Sequence, residues 1–435
     1  MATTYLTRTG TTPTTSNKYT FSCWIKRGSI GTTETLFRSY SDGSNSAQII
    51  FDSDDTFAFQ DIVGGTTVTN LKPSNLFRDT GAWMNIIVQV DYTQAAAADR
   101  AKIFINGGEV SYSATTRQSQ NGASNLNTAA NNAIGSNRSN SSHYFTGSMS
   151  QVNFIDGTAY PATAFGSVNA TSGIWKANSS PTVTYGNNGF FLDMANSSDM
   201  GNDVSGKAND FTVGGGILTQ MQDTPDNNFA TMNPLDSYYS AATFSEGNLK
   251  IVTGGAIQAW STSTIGMSSG KFYWEVKVTT SGANYDTIGI SPYVPTATGN
   301  VLGGATETIA WNGTNGALRQ SGSVLATFST FTTGDILSFA LDLDGSLIYC
   351  YKNGTVQNSG TGIAITAVAS TSTGLFLVAA GHNDSVASTF QWNFGNGYFG
   401  TTAVSSAGTN ASGNGIFEYD VPTGYTALST KGLNL

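Results

Sequence analysis

Cysteine is nearly absent from this 435-residue sequence, which contains only Cys23 and Cys350. A single pair cannot build the disulfide framework that stabilises small secreted domains. Each cysteine lies in an apolar, strand-like stretch, residues 21–25 and 348–351. Free cysteines in such settings are typically buried and unreactive. We therefore expect two structural thiols, and stability that comes from packed cores.

Charge is also scarce, because charged residues make up 11% of the chain and leave a formal charge of −9. The basic residues form no stripe that could follow a phosphate backbone, so we expect no nucleic-acid partner. Residues 1–6 are interrupted by threonine and followed by Arg8 and Gly10, which is unlike a signal peptide. No apolar run approaches the ~20 residues of a membrane-spanning helix. We expect cytosolic synthesis and no membrane insertion.

Glycine, at 50 positions, together with serine, threonine and asparagine, dominates what is present. These residues favour strands and turns over long amphipathic helices. From residue 19 to 160, short apolar runs alternate with turn pairs such as Asp42-Gly43 and Asp156-Gly157, the rhythm of a β-sandwich. Residues 83–91 are almost continuously apolar, which predicts a central strand covered on both faces. We predict a first sandwich over residues 1–161.

The strand rhythm weakens over residues 162–236, where asparagine, serine, aspartate and glycine crowd together. Trp175, Phe190, Phe211 and Phe229 supply apolar anchors in this region, which argues against disorder. The segment is interpreted as an ordered, largely irregular linker.

Strand rhythm returns over residues 237–435, most clearly at 271–278, where apolar and polar residues alternate. Alternation predicts one buried face, with Trp274 inside, and one solvent face, with Glu275 outside. Two further strands are predicted around Asp344-Gly345, with Asn353-Gly354 closing the second. The predicted fold class is therefore all-β, with two antiparallel β-sandwich domains joined by the linker.

Three segments of the first module follow a known order and spacing: a strand that begins with tryptophan at 83–91, a strand ending in Asn-Gly at 101–107, and a closing strand preceded by glycine at 144–157. In these segments the module resembles laminin-G-like and concanavalin-A-like sandwiches. The resemblance implies a lectin-like jelly-roll fold.

Four segments of the second module match a known pattern in order: the strand at 270–276, Ile288-Gly289-Ile290, the Gly-Asp and Leu-Asp-x-Asp segment at 334–344, and Tyr351-Lys352-Asn353-Gly354. The pattern is that of B30.2/SPRY domains, which this module resembles. Residues 292–328 depart from the pattern and are expected to be a family-specific set of loops.

Residues 223–235 and 421–428 resemble segments that bracket this domain in proteins of tailed bacteriophages, notably aquatic ones. The resemblance implies a virion protein, either a tail fibre or appendage or a head decoration protein, present in many copies, with a homo-oligomer as one option. It does not distinguish the head from the tail.

The sequence gives little support for catalysis. Glutamate occurs at only six positions, and no strand carries the closely spaced carboxylates of retaining glycan hydrolases. Ser268 fits a Gly-x-Ser-x-Gly pattern, but a strand rather than a helix is predicted after it. His143 and His382 lie in different modules. We predict a protein that is not an enzyme, with no catalytic residues.

Calcium is the only cofactor with any support in the sequence. Asp52, Asp54 and Asp55 bring three oxygen ligands into one turn, and laminin-G-like domains, which the first module resembles, often hold calcium near the binding rim. Asp91 and Asp99 are further ligand candidates. The alternative is a solvated turn in which the aspartates accept backbone hydrogen bonds.

The leading functional hypothesis is a structural virion surface protein that binds a host-surface glycan or receptor and also contacts other virion proteins. Tyr285, Tyr293 and Trp311 are predicted ligand contacts, because loop aromatics stack on sugar faces. The alternative for each of them is a position in the core. Two alternatives stay open. One is a purely architectural capsid or tail component with no host ligand, and the other is a glycan hydrolase.

Overall fold

A computed structural model describes residues 3–137, 142–254, 258–282, 285–382 and 386–434. The chain divides into two compact units, Met1–Gln220 and Met221–Leu435. The predicted all-β class is confirmed, because the described residues form strands and 3-10 turns but no α-helix. None of the helical segments in these ranges is long and apolar enough to cross a membrane.

The strands of the first unit are β1 Tyr5–Thr9, β2 Lys18–Arg27, β3 Glu34–Asp42, β4 Asn45–Phe51, β5 Phe57–Val63, β6 Thr66–Pro73, β7 Met84–Asp91, β8 Ala101–Ile105, β9 Gly108–Glu109, β10 Tyr112–Thr116, β11 Asn131–Ile134, β12 Gly147–Asp156, β13 Gly166–Val168, β14 Trp175–Ala177, β15 Phe190–Leu192 and β16 Thr212–Gly214. Its 3-10 helices are Ala97–Asp99 and Ala162–Ala164.

Two antiparallel sheets form the first sandwich. The order is β10-β6-β5-β4-β3-β11-β1-β16 in the eight-stranded sheet and β15-β12-β2-β7-β8-β9 in the six-stranded sheet. Alternate side chains of both sheets, such as Phe37 and Val88, meet in one core. Ile87 points to the opposite face of β7, where Trp24 and Trp175 cover it. The prediction that residues 83–91 are covered on both faces is confirmed.

The predicted linker is divided between the two units. Leu192 pairs with Val152 and Val213 pairs with Leu6, so β15 and β16 complete the sheets of the first sandwich. Farther along, Phe229 forms a bridge to Ser429 in the second unit. The apolar anchors in this segment therefore act as strand and core residues of the units to which they belong.

The strands of the second unit are β17 Thr243–Ser245, β18 Lys250–Val252, β19 Ala259–Met267, β20 Lys271–Thr280, β21 Thr287–Ser291, β22 Ile309–Asn312, β23 Ala317–Gln320, β24 Ser323–Thr327, β25 Ile336–Asp342, β26 Leu347–Lys352, β27 Thr355–Val356, β28 Ile363–Ala364, β29 Phe376–His382, β30 Thr389–Asn393, β31 Tyr398–Phe399, β32 Thr402–Ala403 and β33 Thr426–Ala427. Its 3-10 helices are Pro234–Asp236, Asn358–Gly360, Val368–Ser370 and Gly432–Asn434.

The second sandwich packs a sheet with the order β17-β18-β30-β20-β25-β26-β27 against one with the order β19-β29-β21-β22-β23-β24. Strand β28 joins the first sheet beside β26, and β33 joins it in parallel beside β20. The predicted hairpin at Asp344-Gly345 is confirmed, because Asp342 pairs with Leu347 across the turn. Asn353 and Gly354 have φ angles of 47° and 76°, which suits the tight turn into β27.

The outer face of β20 differs from the prediction. Phe272, Trp274, Val276 and Val278 lie in the core as expected, but Glu275 on the opposite face is 0% exposed. Residues 416–428, here called the C-terminal cover, lie over this face and bring Phe417 and Tyr425 against Tyr273. The expectation that Glu275 faces solvent is therefore wrong.

Candidate functional site

The second sandwich has a surface pocket of about 170 Å³ beside strand β19. It is lined by Trp260, Tyr293, Pro295, Thr296, Ala297, Asn300, Ala305 and Thr306. All of these except Trp260 come from residues 292–328, the stretch that departs from the SPRY pattern. The loop at residues 292–308 therefore forms a cavity against a regular strand. The expectation of loops throughout 292–328 is wrong, because β22, β23 and β24 lie within that stretch.

Hydrogen bonds at its hydroxyl and at its carbonyl oxygen hold Tyr293 in place. Its hydroxyl donates to the Thr306 carbonyl oxygen at 2.8 Å, and its carbonyl oxygen accepts from Ser291 Oγ at 2.6 Å. The indole Nε1 of Trp260 donates to the same carbonyl at 3.3 Å. The two rings meet edge to face, with centroids 5.8 Å apart, a favourable aromatic geometry. Tyr293 is thus a preorganised, half-buried ring.

The chemistry of the pocket suits an uncharged polar ligand. Its lining residues carry no formal charge, and Asn300 and Thr296 add amide and hydroxyl groups near the aromatic rings. Burial, and then the charge of Glu307, raise the pKa of Tyr293, so the phenol stays neutral at ordinary pH. Rings beside polar groups are a common way to bind sugars, because the apolar face of the sugar stacks while its hydroxyls form hydrogen bonds.

The structure separates the three predicted contact residues. Tyr293 lines the pocket, whereas Tyr285 lies elsewhere, 51% exposed, with a φ angle of 64°. Trp311 lies on β22 with 0% exposure. Phe328 and Phe331 pack edge-on against it, and its Nε1 donates to the Ser329 carbonyl. The expectation that Trp311 is a loop contact is wrong, because its ring fills the core.

The aspartates proposed for calcium make other contacts. Asp52 forms an ion pair with Lys72 at 2.6 Å. Asp54 accepts hydrogen bonds from the backbone nitrogen and hydroxyl of Thr56. No three or more His, Cys, Asp or Glu side chains in the described ranges converge in a way that could hold a metal ion.

Asp55 belongs to a buried ionic cluster centred on Arg27. The Arg27 guanidinium lies 3.2 Å from Asp55 and 3.3 Å from Glu34, and Arg78 reaches Asp55 at 3.0 Å. The guanidinium also stacks over Phe51 at 4.3 Å. Protein cations thus neutralise the Asp55 carboxylate, which favours the structural interpretation of this turn over the calcium prediction. The other two candidates are also paired, Asp91 with Lys18 and Asp99 with Lys102.

A buried Asp-His-Ser cluster in the second sandwich was missed in the sequence. Asp286 Oδ1 lies 2.8 Å from His382 Nδ1 and 2.5 Å from Ser388 Oγ. The Gly282 nitrogen donates to the same serine oxygen at 2.7 Å. In a catalytic triad the serine lies beside the ring nitrogen that the aspartate does not hold. Here both groups face the carboxylate, so the geometry is that of a structural anchor for the ends of β21, β29 and β30.

The structure also shows where Ser268 and the two cysteines lie. Ser268 lies in the short connection between β19 and β20, so a strand follows it as expected. Both cysteines are free and buried, as predicted, and burial raises the pKa of each thiol.

Solved structures similar to this chain were found at low sequence identity. The SPRY domain of human HERC1 matches at 17% identity and a TM-score of 0.32, over 37% of this chain and 96% of that one. A human SPRY domain matches at 17% identity and a TM-score of 0.27, over 35% and 93%. A heptameric SAP-like pentraxin from Limulus polyphemus matches at 17% identity and a TM-score of 0.28, over 37% and 72%.

No curated protein sequence matches the chain. A family model does match residues 2–163, and it is described as the concanavalin A-like lectin/glucanases superfamily, Laminin_G_3. This range coincides with the predicted first sandwich. The N-terminal part of the chain is therefore similar to laminin-G-like, concanavalin-A-like domains.

Proposed function

We propose that this protein is a non-catalytic surface component of a virus particle and that it binds a glycan on the host surface. The observation that carries the binding proposal is the pocket at Tyr293, where a fixed aromatic ring lies beside uncharged polar groups. Its volume of about 170 Å³ is below the usual ~300–1,000 Å³ of drug-sized sites. The pocket suits a single sugar ring at the end of a chain or a branch.

The virion assignment is supported by the phage-like segments at 223–235 and 421–428. In the second sandwich these segments meet, since the Ala230 nitrogen donates to the Leu428 carbonyl at 2.9 Å. Binding at one small pocket is weak, but many copies on one particle raise the effective concentration of sites. This arrangement favours adhesion over turnover.

A glycan hydrolase is disfavoured by the state of Glu275. Its carboxylate is buried beneath the C-terminal cover and accepts hydrogen bonds from the Glu418 and Tyr419 nitrogens. A general acid must reach the glycosidic oxygen, and this group is shielded from any substrate.

The experiment is a glycan array and a cell-binding assay with the purified full chain, each run with and without a calcium chelator. We expect saturable binding to a neutral glycan and to host cells. Loss of binding on chelation would support the calcium prediction for Asp52, Asp54 and Asp55. If the protein bound neither the array nor host cells but did bind purified particles, a purely architectural role would replace the proposal. Release of reducing sugar from host polysaccharide would establish the hydrolase instead.

A further inference from the structure

The eight-stranded sheet of the first sandwich carries a row of polar side chains across four adjacent strands. Arg38 is paired with Gln48, Gln48 with Gln60, and Gln60 with Asn70, in the registers of β3, β4, β5 and β6. In each strand, a residue next to the polar one in the sequence belongs to the core: Phe37, Ile49, Phe59 and Leu71. Because side chains alternate along a strand, the four polar residues, here called the polar row, lie on the outer face. All four are half-buried.

Hydrogen bonds join the polar row in a single direction. Arg38 Nη1 donates to Gln48 Oε1 at 2.6 Å, and Gln48 Nε2 donates to Gln60 Oε1 at 2.8 Å. Gln60 Nε2 then donates to Asn70 Oδ1 at 3.4 Å. At ~4.8 Å between strands, the row spans about 14 Å. That length suits an oligosaccharide better than a single sugar.

The row leaves hydrogen-bonding capacity unused. A carboxamide has two N–H donors and two acceptor lone pairs, and the row engages one donor and one acceptor at Gln48 and at Gln60. Sugar hydroxyls both donate and accept, so they complement such a surface. The same row could also serve only to stabilise the sheet, in which case it would need no further partner. The amides by themselves therefore do not decide between sugar binding and sheet stabilisation.

Arg38 supplies a second, independent observation. In the parts of the chain that the structure describes, no carboxylate forms an ion pair with it, and its buried Nε has no hydrogen-bond partner. Its guanidinium lies 5.4 Å from the Tyr40 ring. Arg27, on strand β2 of the other sheet, has two carboxylates. A half-buried cation without a counterion, at the end of a row of amides, points to an anionic group on a ligand.

We propose that the polar row is a second carbohydrate site that takes an acidic oligosaccharide. A sugar carboxylate binds the Arg38 guanidinium, and hydroxyls of the following sugars bind Gln48, Gln60 and Asn70. The choice of carbohydrate rests on the proposed function, whereas the acidic group rests on Arg38 alone. The site is separate from the uncharged pocket at Tyr293 and differs from it in ligand class.

The test is calorimetric titration of the full chain with alginate and polygalacturonate hexasaccharides and with their carboxyl-reduced counterparts. We expect saturable binding of an acidic oligosaccharide and loss of binding when its carboxylates are reduced. Arg38→Gln should weaken binding by roughly tenfold to a hundredfold, because a charge-assisted hydrogen bond is lost. Gln60→Ala, which removes two links of the row, should weaken it as well.

Lys176→Gln is the matched control, since Lys176 is an exposed cation of the same unit outside the row. It should bind as the wild type does, and so should Tyr293→Ala. Arg38→Lys guards against misfolding, because it keeps the charge and should retain part of the affinity. No binding of either acidic probe, equal binding of the reduced probes, or an equal loss in Lys176→Gln would overturn the proposal. Failure of Tyr293→Ala to affect neutral-glycan binding would instead overturn the pocket and leave the polar row intact.

Discussion

The carboxylate of Glu275 accepts the backbone N–H of Tyr419 at 2.9 Å, although the two residues are separated by 144 positions in the sequence. The adjacent Glu418 nitrogen donates to the other carboxylate oxygen, also at 2.9 Å. Tyr273 and Asn393 complete the shell, with one donor to each oxygen. One buried side chain therefore fastens the C-terminal cover to β20.

Glu275→Gln should destabilise the second sandwich by about 1–3 kcal/mol, because the new amide group faces a backbone N–H that is then left without an acceptor. Urea unfolding would measure the loss, and hydrogen exchange should be faster at Glu418 and Tyr419. Glu109→Gln is the control, because that side chain is 43% exposed. Equal stability of Glu275→Gln and the control would contradict the fastening role.

The second sandwich should lose stability as the pH rises from about 5 to 8. Burial, the largest cause, raises the pKa of Glu275 from 4.5 to about 7 and that of Asp236 from 3.8 to about 7. A carboxyl group whose pKa is raised on folding stabilises the folded state at pH values below its pKa in the unfolded chain. This stabilisation is lost as the pH rises through its pKa in the folded protein. The Glu275 shift corresponds to about 3 kcal/mol.

Urea unfolding of the wild type at several pH values would measure the slope of the free energy of unfolding against pH. Glu275→Gln should reduce it, and Asp236→Asn should remove most of the remainder. A free energy of unfolding that stays flat or rises over this range would show that the hydrogen bonds outweigh burial in setting these pKa values.

The Asp286 cluster makes a structural prediction. His382→Ala should lower the free energy of unfolding by about 3 kcal/mol, because it removes a buried partner of a buried carboxylate. Ser388→Ala should cost about 1–2 kcal/mol, because it removes the hydrogen bond to Asp286 and the acceptor of the Gly282 nitrogen. Chemical unfolding at neutral pH would check both values. The exposed His143, changed to Asn, should have little effect, and a similar loss there would argue against the anchoring role of the cluster.

Arg27→Met should destabilise the first sandwich by about 3–5 kcal/mol, because Glu34 and Asp55 would lose their buried cation. Thermal or urea unfolding of the first unit would show the effect. Arg78 contacts the same aspartate, but its side chain is 56% exposed, so Arg78→Met should cost far less. Equal losses in the two variants would mean that burial of the charge is not the cause.

Local sequence patterns predicted the fold class and the inward face of β20, because both depend on alternation within single strands. The burial of Glu275 could not be predicted in that way, since its cover comes from residues 416–428. The Asp286 cluster was missed for the same reason, as His382 lies 96 positions away.

Among the site residues, the polar setting of Tyr293 correctly indicated a loop at the surface. The prediction for Trp311 was wrong because β22 is only four residues long and the sequence around it is polar and without a clear strand pattern. The polar row left a faint signal in the sequence, namely Arg38, Gln48, Gln60 and Asn70 spaced 10 to 12 residues apart. Such spacing gains meaning only once the hairpin registers are known.

The most direct test of the binding account is the affinity of the full chain for its array-selected neutral glycan, compared with Tyr293→Ala, Tyr293→Phe and the exposed control Tyr238→Ala. We expect Tyr293→Ala to weaken binding by roughly tenfold or more through loss of the stacking ring. Tyr293→Phe, which keeps the ring but not its hydrogen bond to Thr306, should show a smaller loss, and Tyr238→Ala should match the wild type. Unchanged affinity in a folded Tyr293→Ala variant would contradict the pocket as the binding site.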